Sequence, residues 1–539
     1  MSKFVFFHGY SPETWDAMVR HGLVGENDGI RFCQSIRIDE SLKFNELAKK
    51  GGTLYNIIKE KNRPLLIDRM QGGDYIQDYV YDADLIEEYQ NMLGDKFFGF
   101  QFHEWLSNYY SDTNRKPPKD LSPEEWTPEN ISRVLFAKYG GKYLYLEAMT
   151  MDEFVAAGKP ITVEQFYKNM TDIFKKRQKI GPLVPCDSEF LAYGFEIEQG
   201  VKHLFPEVGA QSANARLQIC YARGMSRREG MDFGIYSEPW GGQPLTVFAY
   251  FGAKNEWGIG SDPDTPYKPA GPNGGSSRSL QKRISLYGYL SGAAFMSEDW
   301  GLYNTFKEGT DYELSEYGLV KKEFLDFTRR YTDIGDKLTP IAAVLPGELP
   351  VFNHCYEPDN FCGYHVKTDR LNAAKRGVCD IFATGVDMIG NEVITLKNTN
   401  MPDAVDLLNR EDSMLDKYDY LVDLTGDADF AEKFSNLCTP KQIPALVEEL
   451  FPCYVEGGLH WLVNERVGGG YYLSVFNHSG IERTLAEGEK ILHEADKTVG
   501  VTFKGDVTPT VLEGKGTLCR DGDGYKLTVP AGDWAFIRF

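Results

Sequence analysis

Over its first 345 or so residues the chain alternates short apolar runs with longer amphipathic stretches, and this alternation restricts the fold more than any other feature. The runs are Phe4–Phe7, Pro64–Asp68, Phe97–His103, Tyr143–Glu147, Leu191–Glu198, Phe233–Glu238, Ala293–Glu298 and Ile341–Leu345. Helical patterns lie between them, as in Asp84–Leu93, Val163–Lys176, Ala213–Arg228 and Tyr317–Tyr331. Such alternation predicts a parallel sheet, since parallel neighbours need a crossover connection. Eight runs over this length predict an α/β fold of the (β/α)8 TIM-barrel type with insertions. The rival, a doubly wound sheet, usually opens with a Gly-rich phosphate turn. His8-Gly9-Tyr10-Ser11-Pro12 is neither a GxGxxG nor a P-loop.

The pattern changes after about residue 346. CDIFAT, NEVITL and YDYLVDL are shorter runs separated by helical stretches, which predicts a small α/β domain. From about residue 451, GGYYLSVFNHSG, TVGVTFKG and GYKLTVPAGDWAFIRF alternate with period two between Gly, Asp and Pro, the pattern of an antiparallel β-sandwich. The expected division is a barrel over 1–346, a small α/β domain over 347–450 and a β-sandwich over 451–539. A chain of 539 residues is too long for one core, which agrees with several domains.

A net charge of −21 argues against nucleic acid or an anionic membrane as partner, because phosphate binding needs a basic surface. No apolar run reaches the length of a membrane span, and the N-terminus lacks the long apolar segment of a signal peptide. Nine cysteines are scattered with no CxxC and no zinc spacing. The expectation is a cytoplasmic protein with free thiols, no cofactor and no metal. A removed leader and the oligomeric state, homo-oligomer included, are left open.

Three runs end in a glutamate closely followed by tryptophan: Glu104-Trp105, Glu238-Pro239-Trp240 and Glu298-Asp299-Trp300. A desolvated acid needs partners or a shifted pKa, and an indole offers a flat face to the apolar side of a sugar ring. A TIM barrel builds its active site at the C-terminal ends of its strands. That places Asp68, Glu104, Glu147, Glu196 or Glu198, Glu238 and Glu298 at the mouth, with His8 and His103. The Gly- and Pro-rich stretch Trp257–Ser279 reads as a functional loop over the same mouth, with Trp257 closing on the ligand. Carboxylates and indoles without GxSxG or HExxH point to glycoside hydrolysis, which needs two carboxyl groups flanking one bond. Counted as above, Glu147 ends the fourth strand and Glu298 the seventh, across the barrel from each other. Glu147 is the expected acid/base and Glu298 the expected nucleophile. One missed strand would move these roles to Glu104, Glu198 or Glu238. The expected sugar contacts are Glu104, Trp105, Glu198, Glu238, Trp240, Trp300, Trp257, Asp68 and His103. For any single strand-end acid the plain alternative is a cap or a salt bridge, and Asp68 beside Arg69 reads readily as paired.

The passages YLYLEAM, AAFMSEDWG, the LSEYGLVKKEFLDFTRRY helix leading into TPIAAVLP, and the final sandwich strands resemble the clan A glycoside hydrolases. The nearest familiar layout is that of the family 42 β-galactosidases. The resemblance is one of architecture, and it implies a barrel glycosidase with a carbohydrate substrate. It departs from the clan at Leu146, where the clan usually carries Asn before the fourth-strand acid. The alternative is a non-catalytic carbohydrate-binding protein on a degenerate barrel.

Overall fold

The computed structural model describes residues 4–33, 43–68, 80–107, 163–188, 190–209, 215–239, 273–299, 301–349, 351–353, 360–361, 364–365, 369–382, 403–484 and 488–539. Its first part is a TIM barrel. The staves are β1 (Val5–Gly9), β2 (Gly29–Cys33), β3 (Leu65–Asp68), β4 (Phe97–His103), β5 (Leu183–Cys186), β6 in two pieces (His203–Leu204 and Glu207–Gly209), β7 (Asp232–Glu238) and β8 (Phe295–Glu298). Parallel pairing runs from β5 through β4, β3, β2 and β1 to β8 and β7, and both pieces of β6 pair with β7. The sixth stave meets the fifth where the Glu207 N–H donates to the Asp187 carbonyl at 3.3 Å, so the sheet is nearly closed.

The structure corrects two of the predicted strands and adds three staves. GIRFC, LVPC and HLFPEVG are staves that were not anticipated. Ala83–Leu93 is a helix, α1, as predicted, but Tyr193–Glu198 is also a short helix, α2, and only Phe190–Leu191 before it is extended. Ile341–Leu345 lies outside the barrel: it is the centre of a separate parallel sheet, between Val405–Asn409 and Tyr420–Asp423. The run at Tyr143–Glu147 lies outside the described residues. The missed staves are short, and two of them carry a proline, which weakens a strand signal.

Side-chain parity decides what lies inside the barrel. Phe7, Leu66, Val184, Cys186, Phe205, Tyr236 and Phe295 fill the interior. Their neighbours in sequence, such as Phe6, Ile67, Ile235 and Met296, pack against the outer helices. One irregularity resets this alternation. Between Phe97 and Gly99 the β3–β4 register shifts by a residue. Gly99 there adopts φ +101°, and a Cβ would meet the Pro182 carbonyl oxygen at 2.1 Å, so glycine is required. Phe98 packs on the interior cluster before the shift, while Phe100 and Phe102 face the helices after it. Gln101 and His103 therefore turn inward.

The helix Ala215–Glu229 (α3) joins the barrel to the three-stranded sheet. Gly224 lets the backbones close: a Cβ would lie 2.1 Å from the Leu407 carbonyl oxygen. Around it, buried Asp406 accepts from Arg223 Nε at 2.6 Å, Arg227 at 2.6 Å, Tyr418 at 3.0 Å and Thr339 at 3.1 Å. Buried Asp403 pairs with Lys337 at 2.7 Å and His460 at 3.1 Å. His460 begins a strand of the C-terminal β-sandwich. In that sandwich a five-stranded antiparallel sheet faces a four-stranded one, and Trp461 meets Tyr454 across the layers. Among the described residues no helix is long and apolar enough to cross a membrane.

Two predictions follow from these junctions. Asp406→Ala strands the buried Arg223 guanidinium and releases the partly exposed Arg227, and a chemical denaturation midpoint is expected to report a loss of about 3 kcal/mol, most of it from Arg223. Burial lowers the His460 pKa from 6.5 to about 4, so the folded chain keeps this ring neutral. The unfolded chain takes up the proton first. Stability is then full above pH 6.5 and falls as pH drops toward 4, by at most about 3 kcal/mol from this group. The same pH series on His460→Asn should lose correspondingly less.

Candidate functional site

The inward positions at the C-terminal ends of the staves bring together Arg31 from β2, Asp68 from β3, Gln101 and His103 from β4, Cys186 from β5, Glu207 from β6, and Tyr236 and Glu238 from β7. All of these are buried. Glu104 follows β4 directly and is half-buried. Its N–H extends the ladder to the Cys186 carbonyl at 2.6 Å. It holds a left-handed conformation (φ 44°), which non-glycine residues adopt at a cost and which often marks functional positions.

One carboxylate oxygen from each of Glu104, Glu207 and Glu238 lies within 4.8 Å of the others. Burial and the adjacent Glu238 and Glu104 carboxyls push the Glu207 pKa well above the usual carboxylate range. Asp299, just past β8, accepts from the Tyr236 hydroxyl at 2.7 Å and adds to the same negative field. On the opposite wall Arg31 pairs with Asp68 at 3.0 Å, donates to the Glu298 carbonyl at 2.6 Å, and lies 4.9 Å from the centre of the Tyr236 ring. Asp187, one residue beyond β5, takes the Leu106 and Ser107 N–H groups and so fixes the segment after Glu104. Burial raises its pKa to about 6 despite these bonds.

The structure brings Glu104, Glu238, Asp68 and His103 into this mouth. It places other expected site residues elsewhere. Glu298 ends the eighth stave rather than the seventh. Its carboxylate faces the outer helix Glu316–Arg330, where it accepts from Tyr317 and pairs with Lys321 beside Phe6 and Phe324. Period-two alternation explains this: Ser297 and Asp299 share one face of the chain and Glu298 takes the other. Trp105 is packed between Phe102, Phe174 and Phe195, and its Nε1–H donates to Glu196 at 3.3 Å. It presents no open face. Burial raises the Glu196 pKa to about 8. Glu198 is exposed at the end of α2 and accepts from Tyr167. His8 also turns outward, to Asp28 at 3.0 Å. Glu147, Trp240, Trp257 and Trp300 lie outside the described residues. Glu207, Cys186 and Arg31 were missed because their staves were missed. Their one legible signal is a charged or reactive side chain at the end of a very short apolar run.

No family model and no curated protein matches the sequence. Solved structures do align with it. A β-galactosidase from the psychrophilic Marinomonas ef1 is 10% identical with TM-score 0.41, covering 99% of this chain and 100% of that one. α-L-Fucosidase isoenzyme 2 from Paenibacillus thiaminolyticus is 10% identical with TM-score 0.42, covering 100% and 99%. A β-galactosidase from the haloarchaeon Halorubrum lacusprofundi is 9% identical with TM-score 0.39, covering 100% and 98%. The likeness runs the length of each chain and is distant in both sequence and shape.

The placement of Glu298 carries its own prediction. Lys321→Met leaves a buried carboxylate without its cation and should cost about 3–5 kcal/mol in chemical denaturation. The double variant Glu298→Gln/Lys321→Met, which removes both charges, should recover much of that loss.

Proposed function

We propose that this chain is a glycoside hydrolase whose reacting carboxyls are Glu104, after the fourth stave, and Glu238, at the end of the seventh. The observation that carries the reading is the convergence of these two acids, with an oxygen of each within 4.8 Å of the other, at the C-terminal mouth of the barrel. That separation is nearer the roughly 5–5.5 Å of retaining glycosidases than the roughly 6.5–9.5 Å of inverting ones. Staves four and seven were the strands expected to supply the pair, and the corrected strand count moves the roles from Glu147 and Glu298 to Glu104 and Glu238.

In this reading Glu238 attacks the anomeric carbon and forms the glycosyl–enzyme. Glu104, the more exposed of the two, protonates the departing glycosidic oxygen and then takes a proton from the water that releases the sugar. Arg31 and Asp68 hold a ring hydroxyl from the opposite wall, and His103 lines the floor. Trp240, Trp257 and Trp300 are proposed as stacking faces for the sugar.

The test is turnover across a panel of aryl glycosides. Glu104→Gln and Glu238→Gln should each lose about a thousandfold or more in kcat, in keeping with the size of general acid–base and covalent contributions. Glu298→Gln should keep its kcat if it folds. Azide should restore turnover to Glu238→Ala by taking the place of the missing nucleophile. Wild-type protein that binds sugars but turns over none of the panel would favour the non-catalytic alternative. Unimpaired turnover in Glu238→Gln would remove this pair.

A further inference from the structure

Beneath the two proposed reacting acids, three consecutive staves each contribute one metal-ligating side chain at the same level. His103 on β4 is the ladder partner of Cys186 on β5. Glu207 on β6 is level with them through its N–H to the Asp187 carbonyl. All three are buried, with exposures of 6%, 1% and 0%. One donor atom from each lies within 4.8 Å of the other two, and His103 Nε2 is 3.7 Å from Glu207 Oε1. Metal–ligand bonds of about 2.0–2.3 Å give a tetrahedral site donor–donor edges of roughly 3.3–3.8 Å. The His–Glu edge already has that length.

A second observation points to a ligand. Both oxygens of Glu207 are buried and take no N–H donor among the described residues; the polar group closest in kind is the Glu238 carboxyl, with which Glu207 can share only a proton. Its other neighbours, Glu238 and Glu104, are themselves carboxyls and offer it no cation. A buried carboxylate in that position needs a proton or a cation. A proton would require neither an imidazole nor a thiol at the same point, yet both are there. The Gln101 side-chain amide nitrogen lies 3.3 Å from His103 Nδ1, and a half-turn of the amide exchanges it for the oxygen. With the amide oxygen turned to the ring, Nδ1–H donates to it and the Nε2 lone pair faces Glu207. A ligating histidine is commonly oriented by this kind of outer partner.

We propose that His103, Cys186 and Glu207 form a mononuclear zinc-type site at the floor of the barrel mouth. A mixed nitrogen, sulfur and oxygen donor set suits Zn²⁺ or Co²⁺ and not Mg²⁺ or Ca²⁺, which take oxygen ligands. Binding displaces the Cys186 thiol proton and the proton on Glu207, so up to two protons are released per ion. The site does not depend on the glycosidase reading, and its test needs no substrate, so the two can fail separately.

The experiment is a Co²⁺ titration of the full-length chain after stripping with a chelator. The expected result is one equivalent bound, with a near-ultraviolet thiolate-to-cobalt band, visible bands of four-coordinate cobalt, proton release in weak buffer, and displacement of all bands by Zn²⁺. Cys186→Ser should lose the near-ultraviolet band, and Glu207→Gln should bind at least about tenfold more weakly. Circular dichroism of each variant checks the fold. A wild-type chain without the thiolate band overturns the site. So does a band that survives in Cys186→Ser, since it would belong to another cysteine. An infrared band of a protonated carboxyl that vanishes in Glu207→Gln but does not respond to metal in the wild type would show a proton in the cation's place, and also overturns it.

Discussion

A closed parallel barrel gives each stave two buried faces, one toward the interior and one toward the helices. No strand-end acid can therefore escape to solvent by turning around, and parity alone decides its environment. Glu238 and Glu207 fall on the inner face and meet other carboxyls. Glu298 falls on the outer face and meets a lysine and a tyrosine. Three glutamates of similar sequence context thus acquire different chemistry from an even or odd count along the strand. The register shift at Gly99 belongs to the same constraint. Without it His103 would face the helices and the floor of the mouth would lose its imidazole.

The electrostatics follow from this sorting. On the outer face each buried charge is compensated close by, as with Glu298 and Lys321 or Asp406 and its two arginines. At the mouth the balance is uneven. Glu104, Glu207, Glu238, Asp68 and Asp299 surround a site where Arg31 is paired with Asp68 and directed toward one wall. Carboxyls gathered in one cleft with perturbed ionisation are characteristic of binding and catalytic sites. Under the proposed function a sugar whose transition state develops positive charge would answer part of it, and a metal ion under Glu207 would answer the rest.

The remainder of the chain supports this mouth from outside. Asp403 and Asp406 sit where the barrel helix, the three-stranded sheet and the sandwich meet, and each accepts from more than one of these layers. Removing Asp403 would leave buried Lys337 without its carboxylate, and removing Asp406 would do the same to buried Arg223 and partly exposed Arg227. Rigid attachment of α3 holds β7, the stave that follows it, and therefore Glu238.

Several features could be read from sequence, because they depend on local periodicity. Strand–helix alternation implied the parallel barrel, period-two runs after residue 451 implied the sandwich, and apolar runs ending in an acid located Glu104 and Glu238 at strand ends. The staves GIRFC, LVPC and HLFPEVG are too short and too interrupted for a periodic signal, and their pairing energy comes from neighbours distant in the chain. Losing them displaced the strand count and with it the acids expected at the ends of the fourth and seventh staves. Which acids face one another is a matter of register between strands and of a single bulge at Gly99. The sequence by itself determined the class of fold and the kinds of side chain at the barrel mouth. Only the tertiary structure decided which of them converge, since convergence depends on long-range register that local sequence does not encode.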